Sequence, residues 1–176
     1  GLVIGWERLQ DALVRAREQL DALNREMIDR GLEAEAAIFD AHRGVLDDPE
    51  LTAAVQARIQ KGQDALKAWK ETIEDSALVV AALRDPILSA RADDLRDVGR
   101  RVVRLLVGVE QEQATLPDKP VVIVARELSP SDTVSFKQDV VLGFCIVNGG
   151  PTSHSAILAR ALGLAQSVVP DALVLA

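Results

Sequence analysis

A single cysteine, Cys145, stands in the whole chain. It has no internal partner for a disulfide, and the ligands of a Cys-rich zinc site are missing, so a reducing cytoplasm is the simplest expected home. Positive charge is in deficit: 20 Lys and Arg face 27 Asp and Glu, a formal net charge of −7. A surface able to neutralise a phosphate backbone is therefore not expected. Long apolar runs are also lacking. Val121 to Ala125 and Val140 to Val147 are the longest and far too short to cross a bilayer, and the first residues do not pair a cationic with an apolar region. Neither nucleic acid nor a membrane is an expected partner. The chain has no GxxxxGK[ST] loop, HExxH, GxSxG or CxxC, which leaves nucleotide, zinc-protease, serine-hydrolase and dithiol chemistry without support. What is present, 48% hydrophobic and 27% charged among 176 residues, is the balance of an ordinary globular protein of one or two domains, and it excludes disorder and collagen.

Two textures divide the chain near residue 107. Leu9, Leu13, Ala16, Leu20, Leu23 and Met27 alternate steps of four and three, which places them on one stripe of a long amphipathic helix. A second helix follows Gly31, carries Ala37, Ile38, Ala41 and Val45, and ends near Leu46. Asp48-Pro49 and Asp85-Pro86 each pair a capping aspartate with a proline at the first helical position, where no hydrogen bond is lost. Between them lie Val55, Ile59, Leu66, Trp69 and Ile73; after them come Leu95, Val98, Val102 and Leu105. Four or five helices with short links predict a bundle or paired hairpins. Trp6 and Trp69 read as packing residues.

Beyond a polar link from Gly108 to Pro120, β-branched runs take over. Val121–Ala125 and Val140–Val147 predict buried strands, the second holding Cys145. Ser129-Pro130-Ser131-Asp132-Thr133 predicts a turn into a short helical or irregular segment. Asn148-Gly149-Gly150-Pro151 breaks the second strand. Thr152 to Leu162 then predicts a helix closed by Gly163, and Val168-Val169 with Ala172–Leu175 predicts further strand. Alternating strand and helix is the pattern of an α/β domain.

One histidine is placed where it could react. The two glycines permit a tight turn, Thr152 and Ser153 offer N-caps, and His154 falls in the first turn of the helix. There the backbone N–H groups and the helix dipole favour negative charge, so a phosphorylated imidazole is stabilised and a bare ring stays neutral and nucleophilic. The same pattern also serves as an ordinary helix start with a capping or surface histidine.

Gly149 to Arg160 resembles the phosphohistidine signature of the phosphoenolpyruvate-utilising enzymes. The segments Glu35–His42, Leu46–Leu51 and Arg91–Arg101 resemble the helical subdomain of one member, Enzyme I of the sugar phosphotransferase system, and the likeness covers nearly the whole chain. The resemblance implies an α+β or α/β fold of two subdomains: a swivelling α/β phosphohistidine part (residues 1–5 and 108–176) with an inserted all-α part (6–107) that docks the phosphocarrier HPr. It implies that His154 takes the phosphoryl group on Nε2 and passes it to a histidine of HPr, and that Thr133, 21 residues upstream, hydrogen-bonds and orients the ring; turn capping is the plainer role for Thr133. It places Glu33, Ile38, Asp40, His42, Val45, Leu51 and Arg96 at the docking surface. Read singly, Ile38, Val45 and Leu51 also suit a core, Glu33 and Asp40 a solvated face, and Arg96 an ion pair with Asp93 or Asp97.

The resemblance further implies a phosphoenolpyruvate–protein phosphotransferase whose C-terminal barrel, which binds phosphoenolpyruvate and Mg²⁺, lies outside this chain. No cofactor or metal is expected here, only exchange with phospho-HPr, a monomeric fragment and a homodimeric full-length enzyme. Residues are expected to be missing near Gly5/Trp6 and after Leu164. Ala34 and Gly44 stand where the family often has a glutamate or a large apolar side chain. Two other readings stay open: an Enzyme I-like module of a multiphosphoryl protein serving dihydroxyacetone kinase or the nitrogen-related branch, and a non-catalytic helical interaction module.

Overall fold

Among the described residues, five helices precede a small parallel sheet. A computed structural model describes residues 2–83, 85–108, 118–137, 139–147 and 153–168. The elements are α1 (Leu2–Asp29), α2 (Glu33–Leu46), α3 (Pro49–Gln60), α4 (Ala65–Ala81), α5 (Pro86–Val107), β1 (Val121–Ala125), α6 (Pro130–Ser135), β2 (Val141–Ile146), α7 (His154–Ala161) and β3 (Ala165–Val168). Two compact units result: residues 1–30 with 36–111, and residues 31–35 with 112–176. Residues 2–5, expected in the α/β part, continue α1, because nothing in Leu2–Gly5 interrupts helical backbone.

In the helical unit, α1 buries Leu9, Leu13, Ala16, Leu20 and Met27, the stripe read from their spacing. Proline starts work as anticipated. The Asp48 carboxylate accepts from the N–H groups of Glu50 and Leu51 (2.8 and 3.4 Å), and Asp85 accepts from Leu88 (3.3 Å). The stretch between them is two helices, broken at Gly62 and restarted where Asp64 accepts from the Lys67 N–H at 3.0 Å. Helix α2 departs from the expected stripe: its buried positions are Ala36, Ile38, Phe39, His42 and Leu46, whereas Ala37 and Ala41 are exposed. Arg17 and Arg43 tie α2 to α1, Arg17 to the Leu46 carbonyl at 2.6 Å and Arg43 to Asp21 at 3.0 Å.

Close approach of α4 and α5 depends on Gly99. A Cβ there would lie 2.7 Å from Cγ2 of Ile73, and Trp69, buried as expected, donates from Nε1 to the Gly99 carbonyl at 3.1 Å. Replacing Gly99 by Val forces these helices apart in a packed interior, where overpacking costs about 1–3 kcal/mol. Urea unfolding of Gly99→Val will show that loss; a midpoint equal to the parent's would refute the close-packing account.

In the α/β unit the strands run parallel in the order β1-β2-β3. Parallel neighbours need crossovers, and right-handed crossovers in a monotonic order put both helices on one face; α6 and α7 do pack together. The other face of β1 and β2 presents Val122, Val124 and Leu142, each more than half exposed. Central strand β2 buries Val141, Phe144 and Ile146, with Phe136 against Phe144, while Cys145 is half-buried. Helix α7 ends as anticipated at Gly163, whose φ of 73° closes it. Leu164 N–H bonds the Ala159 carbonyl and Gly163 N–H that of Arg160, at 2.8 and 3.1 Å. The expected Gly149-Gly150 turn, the link 109–117 and the strand at 169–176 lie outside the described residues.

Candidate functional site

Parallel strands bring their carboxyl ends to one edge of the sheet, the edge where α/β folds hold ligands. Ala125, Ile146 and Val168 mark it here by register. Both chemistry-bearing residues follow these ends. Helix α6 starts five residues past the end of β1, capped by Ser129, whose side chain and that of Asp132 form a reciprocal capping box. Helix α7 starts at His154, behind Ser153, whose Oγ accepts from the Ala156 N–H at 3.3 Å. A further bond fixes the two starts together: Ser155 Oγ donates to the Leu128 carbonyl at 2.6 Å.

His154 is therefore the first residue of α7 and is partly exposed. Thr133 lies one turn into the neighbouring α6 with no solvent exposure. Its hydroxyl donates to the Ser129 carbonyl at 3.0 Å. With that hydrogen committed, the Thr133 oxygen has only lone pairs to offer a further partner. It is an acceptor.

The helical unit carries a groove of about 710 Å³. Its walls include Ala41, Gly44 and Val45 of α2, Leu51 of α3, and Arg91 and Leu95 of α5, with Asp48, Glu50 and Asp94 supplying negative charge. Ala41 and Val45 of α2 face this groove, apart from its buried positions Ala36, Phe39 and His42, so α2 has two apolar faces. Of the residues expected at a docking surface, Val45 and Leu51 line the groove, while Glu33 and Asp40 are exposed on α2. Ile38 and His42 are buried beneath.

His42 has no exposed surface at all. Its Nε2 lies 3.0 Å from Asp94 Oδ1, and its Nδ1 lies 3.5 Å from Asp97 Oδ2, without a hydrogen bond at that distance. Arg96 also departs from the groove. It holds both carboxylate oxygens of Glu74 on α4 at 2.9 and 3.1 Å and lies 3.7 Å from Asp93. That hydrogen-bonded guanidinium keeps the Glu74 carboxyl below its ordinary value, against a smaller opposing effect of burial. The cation that does line the groove is Arg91, unremarked in the sequence. Arg91, Asp94 and Leu95 share a face at helical spacing, whereas Arg96, five residues on, is turned by about 140°.

Residues 5–91 match the family model described as PEP-utilising enzyme, N-terminal, and residues 117–168 the model described as PEP-utilising enzyme, mobile domain. A multiphosphoryl transfer protein of Xanthomonas campestris pv. campestris is 42% identical over 166 residues, covering 93% of this chain and 20% of that protein. A phosphoenolpyruvate-protein phosphotransferase of Geobacillus stearothermophilus is 40% identical over 156 residues, covering 88% and 27%. The chain thus spans about a fifth to a quarter of these curated relatives. A solution NMR structure of Enzyme I superposes with a TM-score of 0.75 at 36% identity, over 95% of this chain and 68% of that one. The N-terminal domain of a nitrogen-type Enzyme 1 gives 0.69 at 30% identity, over 98% and 72%.

Proposed function

The chain belongs to the phosphoenolpyruvate-utilising enzymes, with its matches in Enzyme I-type phosphotransferases, and from that premise we propose that it relays a phosphoryl group between phosphoenolpyruvate and a phosphocarrier of the HPr type through His154. The observation that supports this most is the position of that histidine: partly exposed, first in α7, at the carboxyl edge of the sheet, beside the helix that carries buried Thr133.

The chemistry is an in-line displacement. The Nε2 lone pair of neutral His154 forms a bond to phosphorus as the bond from phosphorus to the carrier's imidazole nitrogen breaks, and the carrier ring leaves with its electron pair. Thr133 acts as a positioning residue: its oxygen accepts from Nδ1–H of His154, which selects the tautomer whose Nε2 is bare. Backbone N–H groups at the start of α7 favour the anionic cargo. Positioning accounts for most of the acceleration, since phosphoryl transfer asks little covalent chemistry of the protein.

The helical unit supplies affinity. A carrier docks on the groove through Val45 and Leu51, with Arg91 as its cation, and the exposed Glu33 and Asp40 of α2 add negative charge; Ile38 and His42 support α2 from its buried face. Arg96 acts indirectly, by bracing α5 on α4 through Glu74. Acid around an apolar centre suits a basic carrier and a fast, salt-sensitive encounter. Phosphoenolpyruvate and Mg²⁺ engage the rest of the longer enzyme, in the cytoplasm, and this chain alone exchanges with phospho-carrier as a monomer. The 42% identity to a multiphosphoryl transfer protein favours a second version, in which the carrier is a module of the same polypeptide; the full gene product decides between them.

Thr133 is the first test. Thr133→Val removes the acceptor and keeps the shape, so single-turnover exchange with labelled phospho-HPr should slow about tenfold, the equivalent of about 1.4 kcal/mol, with the dependence on carrier concentration unchanged. Thr133→Ser keeps a hydroxyl and should restore most of the rate. Equal rates for Val and Ser would leave Thr133 only its capping role.

A further inference from the structure

A second groove, of about 550 Å³, lies between α4 and α5, and its charge is opposite to that of the first. Its floor is apolar, formed by Ile73, Gly99 and Val103. Along one wall Arg96, Arg100 and Arg104 recur every four residues of α5; Lys70 of α4 also lines it. One acid lines it, Glu74, and Arg96 holds both of its oxygens. Arg100 lies 3.9 Å from Asp97. Lys70 and Arg104 have no ion pair among the described residues. In a chain of net charge −7, a row of four cations over an apolar floor is a concentration of the minority sign.

The shape of the row selects its ligand. Residues four apart on a helix rise about 6 Å, so the three arginines span about 12 Å in a line. A small anion needs donors that converge on one point, whereas positions spread over about 12 Å of helix favour an extended ligand. An acidic helix has the matching repeat, because Glu at i, i+4 and i+8 rises by the same 6 Å while its adjacent apolar face meets the floor. We propose that the α4/α5 groove docks an acidic amphipathic helix of a protein partner. Lysine and arginine stems would cover the partner's apolar edge, with Lys70 and Arg104 meeting its carboxylates directly and Arg96 and Arg100 adding to the positive field. This site is independent of His154 and of the groove assigned to the carrier.

The test uses the full chain and a fluorescein-labelled peptide of about 18 residues, five helical turns, with Glu at i, i+4 and i+8 beside a Leu face. Controls are a scrambled peptide of equal composition, tripolyphosphate and a short single-stranded DNA. Anisotropy should show saturable binding that weakens with salt, and amide NMR shifts should cluster at residues 70–74 and 96–104. In Lys70→Glu/Arg104→Glu affinity should drop at least tenfold, while the melting temperature and exchange with phospho-HPr stay unchanged. Equal binding of the scrambled peptide, displacement by tripolyphosphate or DNA at equal charge, absence of saturable binding, or an unaffected double variant would each overturn the proposal.

Discussion

A His154→Ala chain should take up no label from phospho-HPr, with a rate at least about a thousandfold below the parent's. The size follows from what is lost. The field at a helix N-terminus is worth about 0.3–1 kcal/mol at an exposed site, whereas a held nucleophile replaces a bimolecular step and supplies several times that. Removing the imidazole deletes the second contribution and leaves the first with nothing to act on. The substitution should not disturb the fold, because the α7 start is held by Ser153 on Ala156 and by Ser155 on Leu128, neither of which involves the ring. Chemistry gives a second readout. A phosphoramidate on histidine is labile to acid and survives alkali, and a phosphoester on Ser153 or Ser155 does the reverse. Label on the parent must therefore vanish in acid. Acid-stable label on the parent, or acid-labile label on the alanine variant, would place the acceptor elsewhere.

Features with local causes could be read from the sequence. Asp48-Pro49 and Asp85-Pro86 announce helix starts because cap and proline act within one turn, and Gly163 announces the end of α7 for the same reason. The break between α3 and α4 was also written locally, in Gly62 and Asp64, but a continuous apolar spacing from Val55 to Ile73 masked it. Helix α2 was harder. A reading that tracks apolar residues alone finds Ala37, Ile38, Ala41 and Val45, yet the core face passes through Ala36, Phe39 and His42. Two causes combine: alanine is small enough for either face, and one core position is polar. His42 can be buried only because Asp94, 52 residues away, meets its ring, and no window of sequence contains both.

The site divides along the same line. The helix start at His154 and the Ser129 cap before Thr133 are local and were legible. That the Thr133 hydrogen is already committed to Ser129 is a matter of geometry, and so is the acceptor role argued from it. Arg91 and Arg96 look alike in Arg91-Ala92-Asp93-Asp94-Leu95-Arg96. Only the rotation of α5 sends one to the groove and the other to Glu74.

His42→Ala should cost the helical unit about 3–5 kcal/mol. A side chain without solvent exposure leaves a void, and a buried carboxylate loses its 3.0 Å partner on α2. A hydrogen bond to a charged group is worth about 1.5–3 kcal/mol and truncation of a large core side chain adds a similar amount. Against a total stability of roughly 5–15 kcal/mol, that is a fifth or more, and with a urea slope of about 1–3 kcal/mol/M the midpoint should fall by about 1–5 M. His42→Gln separates the contributions: its amide can donate to Asp94 and fills most of the space, so it should recover about half. The loss must also reach the groove. Ala41, Gly44 and Val45 flank His42 on α2, so freeing that helix from α5 blurs the wall they form. Carrier affinity should therefore weaken in His42→Ala at urea concentrations well below its midpoint. Unaltered affinity with a lowered midpoint would confine His42 to stability; an unaltered midpoint would remove the clamp between α2 and α5 altogether.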